Sequence, residues 1–161
     1  VWTWAQEQSA GFVRRRQAHE ALVHRVDAEL AAGARTPLDP ALAADGVDEV
    51  LTVMFGGVPP WGRLTPDADG AAVRVSTTDT GRSWLALLGR WSGTSPNSGK
   101  SYDDTCVDVV DDDGRDAATL TGTAGDLDCL LWNRPPLGEV VRSGDERSLA
   151  LLDAVLADGI Q

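Results

Sequence analysis

Between Phe12 and Ala32 the chain reads FVRRRQAHEALVHRVDAELAA, with no proline and no glycine. At 3.6 residues per turn, Phe12, His19, Val23, Val26 and Leu30 fall within one narrow arc. That pattern admits one local structure, an amphipathic helix with a single buried stripe. Ser9 supplies a hydroxyl for a first-turn N–H, and Gly33 supplies the left-handed residue that stops the helix. From Ala72 the period changes: Val73, Val75 and Thr77 alternate with Arg74, Ser76 and Thr78, the signature of a half-buried strand. A chain that begins on a period of 3.6 and switches to a period of two must lay a helix against a sheet.

Two polar residues of the helix attract attention. Glu20 and His24 are four apart, so they leave the same face one turn from each other and reach a common point. A carboxylate and an imidazole so held suit a divalent ion such as Zn²⁺, which takes N and O ligands and uses three protein ligands in catalytic sites. The pair therefore needs at least one further ligand from elsewhere. The protease motif H-E-x-x-H is excluded, because His19 and His24 are five apart and lie on different faces. His19 falls on the apolar stripe and reads as a packed histidine. A solvated pair four apart on a helix surface is the plain alternative for Glu20 and His24.

Charge and composition narrow the class. A formal net charge of −11 opposes binding to nucleic acid or to an anionic membrane surface. With 161 residues and 42% hydrophobic content, the chain can bury one respectable core. No apolar run approaches the roughly 18–20 residues that cross a bilayer, and VWTWAQEQ lacks the pattern of a signal peptide, so a cytoplasmic location is expected. Cys106 and Cys129 lack C-x-x-C spacing and are expected to be reduced core residues. Lys100 is the only lysine against many arginines, which fits a GC-rich genome.

Residues 1–8 read as an extended lead-in. After the first helix, Pro37 and Pro40 predict a rigid turn, and Ala41 to Phe55 predict a short helix or two, broken at Asp45-Gly46. Residues 58–71, rich in proline and glycine, read as a linker. Trp84 to Leu88 predicts a second strand across the turn at Thr80-Gly81. Cys106 to Val110 and Ala117 to Thr121 predict two more, joined as a hairpin at Asp112-Asp113-Gly114. Thr123 opens a helix that Pro135-Pro136 ends, Glu139 to Arg142 predicts a short strand, and residues 146–157 a closing helix. The class is α+β. Gly93 to Ser101 nearly spells a phosphate-binding loop, but it has five residues between its glycines where four are needed, and it contains Pro96. Asp103, Asp104, Asp108, Asp111, Asp112 and Asp113 lack the spacing of a calcium loop and read as a solvated edge.

The run Trp2-Thr3-Trp4, Arg14-Arg15, His19-Glu20, Val23-His24-Arg25, Asp27, Pro40, Ala44-Asp45-Gly46 and Asp48-Glu49 resembles the mycothiol-dependent maleylpyruvate isomerase family of actinobacteria. Thr78-Asp79-Thr80, Trp84, Thr121-Gly122-Thr123, Asp126-Leu127 and Leu131-Trp132 with Arg134 are similar to the same family's C-terminal domain. The resemblance implies a DinB-like helical bundle whose last helix carries a Glu and a His as metal ligands. These match Glu20 and His24, while the family's ligand from an earlier helix has no counterpart. Residues 1–57 are then expected to be the closing part of that bundle, truncated at its N-terminus or completed by another chain. Residues 72–161 are expected to form an α+β domain similar to the sterol-carrier-protein fold.

The resemblance further implies a divalent metal, zinc by preference, with mycothiol as the thiol and a small dicarboxylate as substrate. Arg134, by motif position, would grip a substrate carboxylate with its planar fork. Capping of helix carbonyls is its structural alternative, and Arg82 and Arg90 are possible substitutes. The activity implied is cis–trans isomerisation or a related thiol S-transfer, and the competing expectation is a non-catalytic α+β interaction module.

Overall fold

A computed structural model of the chain describes residues 3, 5, 7–115 and 117–159. Trp2 and Trp4 of the family-like opening lie outside the described residues, as does part of the lead-in expected over residues 1–8. Helix α1 spans Ala10–Ala32; the Ser9 side chain accepts from Phe12 N–H, and Gly33 closes the helix at φ 64°. Both ends are those expected. The buried face holds Phe12, His19, Val23 and Val26, joined by Arg16 and Leu22. Leu30 departs from expectation and is 36% exposed, because the last turn of α1 runs past the elements that cover the rest of the stripe.

Helix α2, Pro40–Glu49, starts on a proline at its first turn with Asp39 as cap. It is not broken at Asp45-Gly46. Gly46 stays helical because its missing side chain makes a notch: a Cβ there would lie 2.6 Å from Asp128 Oδ1. The helix then widens into a π-helical turn, Val50–Met54, whose exit is marked by Phe55 N–H donating to Val50 O at 2.9 Å.

Among the described residues six strands follow in one mixed sheet: β1 Arg63–Pro66, β2 Ala72–Thr77, β3 Ser83–Thr94, β4 Ser101–Val110, β5 Ala118–Gly122 and β6 Val141–Ser143. Strand β1 lies within the stretch expected to be linker. It pairs with the far half of β3 while β2 pairs with the near half, so the two run end to end along one edge of the same long strand. Strand β4 covers the other edge of β3, and the near-phosphate-loop sequence from Gly93 to Ser101 forms the end of β3, the turn over residues 95–100 and the first residue of β4.

The expected hairpin at Asp112-Asp113-Gly114 does not form. Strand β5 pairs in parallel with β2 and not with β4. The turn chemistry is satisfied without a hairpin, since Asp112 accepts from Gly114 N–H at 2.9 Å and from Arg74 at 2.7 Å. Parallel pairing sets Ala118 and Leu120 beside Val73 and Val75, and all four are fully buried. Burial on the shared face thus outweighs sequence proximity.

Helix α3, Ala124–Leu131, is capped by Thr123, and helix α4, Glu146–Asp158, by Asp145. Leu127, Leu131, Leu152 and Val155 join the sheet side chains and Leu22, Val23 and Val26 of α1 in one continuous core. The fold is α+β: an N-terminal helix, then a mixed six-stranded sheet with helices. Among the described residues no helix is long and apolar enough to cross a membrane. Replacing Gly46 with Ala drives a methyl group into the Asp128 carboxyl. The expected loss is about 1–3 kcal/mol of stability, beyond the roughly 1 kcal/mol that alanine returns in helix propensity, seen as a lower urea midpoint.

Candidate functional site

The middle of α1, the π-helical turn, the residues after α3 and the end of α4 enclose a cleft of about 350 Å³. Glu20, His24 and Arg134, the three residues singled out in the sequence, all line it. His24 Nε2 lies 3.3 Å from Glu20 Oε2, so the helical spacing does bring acid and imidazole together. They stand on the rim: the His24 side chain is 69% exposed and that of Glu20 44%.

Each member of the pair is held from behind. His24 Nδ1 lies 3.3 Å from Asp27 Oδ2. Glu20 Oε1 accepts from Arg16 Nη2 at 2.9 Å. Arg134 is gripped by the same Asp27, its Nε and Nη2 each donating at 2.9 Å to one carboxylate oxygen. Its third contact, Nη1 to Trp132 O at 2.6 Å, caps the end of α3 as the structural alternative required. The bonds from Arg134 hold the Asp27 carboxyl below its ordinary range, and Asp27 in turn raises the Arg134 guanidinium. The Arg134 fork therefore already holds a carboxylate of this chain.

Of the substitutes, Arg82 donates to Ala44 O and Asp48 and stacks over Trp84, while Arg90 pairs with Asp103. Neither lines this cleft. Among the described residues no group of three or more His, Cys, Asp or Glu converges as a metal site. Glu20 and His24 place one oxygen and one nitrogen donor side by side at the rim of the cleft.

Behind the cleft lies a buried polar layer that sequence reading did not assemble. Arg16, 7% exposed, donates to Glu49 and stacks 4.9 Å from the Trp132 ring centre. Glu49 and Asp128 are wholly buried, and each keeps one carboxyl oxygen without a hydrogen-bond partner. Burial, then the nearby charge of Glu49, pushes the Asp128 carboxyl up to about 8; the Trp132 indole N–H stands close enough to lower it a little, short of a hydrogen bond. Burial likewise raises Glu49, against the pull of Arg16. His19 is packed as expected, 1% exposed, with Nε2 2.8 Å from Asp45. Burial works to raise Asp45, yet bonds from Arg15 and His19 leave it lowered. Cys106 and Cys129 are buried free thiols, both raised by burial. Two sequence signals for the layer were present: Arg16 stands four before Glu20, and Asp128 interrupts an apolar run from Leu127 to Leu131.

The fold and cleft define an α+β domain with one small opening lined by Arg16, Glu20 and His24 of α1 and by Arg134 after α3. Residues 41–151 match the MDMPI C-terminal domain family, the C-terminal domain of the maleylpyruvate isomerase family, and the chain belongs to it. The match begins within α2, so it covers Glu49, Asp128, Trp132 and Arg134 and leaves out Glu20 and His24. Comparison with curated proteins and with solved structures finds no match for this chain.

Asp128 also sets a pH dependence. Its folded value of about 8 lies above the ordinary 3.8, so between these values the folded chain holds a proton that the unfolded chain has lost. Stability falls as pH rises through that window and levels off above it. Urea denaturation should find the wild type less stable at pH 8 than at pH 5, with a difference on the order of a few kcal/mol at most. Asp128→Asn should flatten the slope.

Proposed function

We propose that the cleft is part of a metal- and thiol-dependent site of the maleylpyruvate isomerase kind, serving isomerisation or the related S-transfer. What supports this reading most is the shared position of Glu20, His24 and Arg134: Arg134 stands 107 residues beyond Asp27, yet one small opening carries all of them. In this reading residues 1–57 are the closing part of a DinB-like bundle, residues 72–161 a domain similar to the sterol-carrier-protein fold, and residues 58–71 their connection.

Glu20 and His24 hold the divalent ion, zinc by preference, and a further ligand comes from outside the described residues, in the same polypeptide or a partner chain. Asp27 engages His24 Nδ1 and leaves Nε2 beside Glu20, so that these two side chains would hold the ion with a carboxylate behind the imidazole. Arg134 changes partner from Asp27 to a carboxylate of the substrate, a like-for-like exchange that fixes a small dicarboxylate by two parallel bonds. A bound metal and a small-molecule thiol such as mycothiol would supply a thiolate that could add to a conjugated double bond; rotation about the resulting single bond and expulsion of the same thiolate would give isomerisation, and retention of the C–S bond with protonation of the adduct would give S-transfer. The thiols of Cys106 and Cys129, buried and raised, take no part.

The exposure of His24 favours a second reading, a non-catalytic interaction module in which Glu20 and His24 are solvated surface groups. Calorimetric titration with zinc separates the two. The first expects saturable uptake of one ion per chain at micromolar zinc, lost in the Glu20→Ala, His24→Ala double variant and weakened roughly 10–100-fold in Asp27→Asn. No uptake by the wild type leaves the module.

A further inference from the structure

We propose that Asp128 and Glu49 hold one proton between them and, through Arg16, act as positioning residues for Glu20 on the cleft wall. The inference rests on the Arg16 contacts and stands whether or not Glu20 binds a metal.

The geometry is specific. The Asp128 carboxyl sits in the notch at Gly46, against the backbone of α2, where no other residue leaves room for it. Glu49 lies one turn further along α2 and takes one end of the Arg16 guanidinium. The other end of the same guanidinium reaches Glu20 Oε1 at 2.9 Å, and Trp132 covers its face. Arg16 is thus shared between an acid that never meets water and an acid on the rim. The groups facing Asp128 are Arg16 from α1, Glu49 and Asp45 from α2 and the Trp132 indole from its own segment. Asp45 is already committed to Arg15 and His19. Glu49 also feels Arg15 and His19, but these are bonded to Asp45 and Asp48, so Arg16 is the guanidinium that bonds the buried pair, through Glu49.

With a proton on the pair, the interior carries one negative charge, which Arg16 balances while keeping its hold on Glu20. Without the proton, the interior carries two. A second unpaired buried charge is strongly disfavoured, and the nearest cation able to respond is Arg16, whose Nε has no partner. Its guanidinium turns inward, and Glu20 loses the bond that directs Oε2 toward His24. The upward displacement of both buried carboxyls is in keeping with a proton retained at neutral pH.

The test is a carbon-detected NMR titration of the full chain, labelled at its Asp and Glu carboxyl carbons, from pH 5 to pH 10. The expected result is that one of the two buried carboxyls is still protonated at pH 6 and ionises with a midpoint near 8, and that the Glu20 carboxyl shifts with the same midpoint. In Asp128→Asn, which mimics the neutral acid, the Glu20 step disappears. In Glu20→Gln the buried step remains. Ionisation of both buried carboxyls below pH 6, absence of a Glu20 step in the wild type, or its persistence in Asp128→Asn overturns the proposal. The wild-type titration decides even if a variant fails to fold.

Discussion

The contact on which the molecule most depends is the buried pair between Arg16 and Glu49. It joins α1 to α2 where both are shielded from water, and the Trp132 ring stacked on the guanidinium adds the segment after α3. Removing one member of such a pair leaves an uncompensated buried charge and typically costs about 3–5 kcal/mol. Apolar packing alone holds helices together without choosing their register. A guanidinium that must reach one carboxylate inside and another outside fixes how α1 is rotated and how far it slides. That rotation turns Glu20 and His24 toward the cleft and keeps His19 in the core.

Asp27 plays the corresponding part on the other side. Its two bonds to Arg134 pin the loop after α3 to the last third of α1, and the same carboxylate lies beside His24. The cleft is therefore bounded by two charge-assisted clasps, one at Arg16 and one at Arg134, with Met54 and Phe55 of the π-helical exit between them. Widening a helix by one residue per turn shifts every later side chain, and here it brings the end of α2 against β4, where Val107 N–H donates to Phe55 O at 3.1 Å. The same packing excludes water from Asp128 and Glu49, which is why both carboxyls are displaced upward while the half-buried Asp67 and the exposed Asp113 fall to about 2 beside their arginines.

Local features of the structure were readable residue by residue. The cap at Ser9, the stop at Gly33, the strand from Ala72, the start of α3 at Thr123 and the closing helix each follow from groups within a few positions of one another. The unbroken α2 was not readable, because glycine's low helix propensity is outweighed by a carboxyl some eighty positions later that needs the space. Nor was the parallel pairing of β5 with β2, since the preference of β5 for β2 over β4 is set by which buried faces line up. The spacing that puts Glu20 beside His24 was legible; the partner of Arg134 was not, because Asp27 belongs to a helix far away in the chain.

The amino-acid order by itself determined the α+β class, the one-turn spacing of Glu20 and His24, and a pattern that resembles the maleylpyruvate isomerase family, because periodicity and short motifs are properties of neighbours. Tertiary structure alone decided that Arg134 joins that pair in one cleft with its fork already filled, that β5 lies parallel to β2, and that two carboxyls are sealed behind Arg16. Those outcomes depend on burial and on charge balance across distant segments, and a dielectric environment exists only once the chain has closed around it.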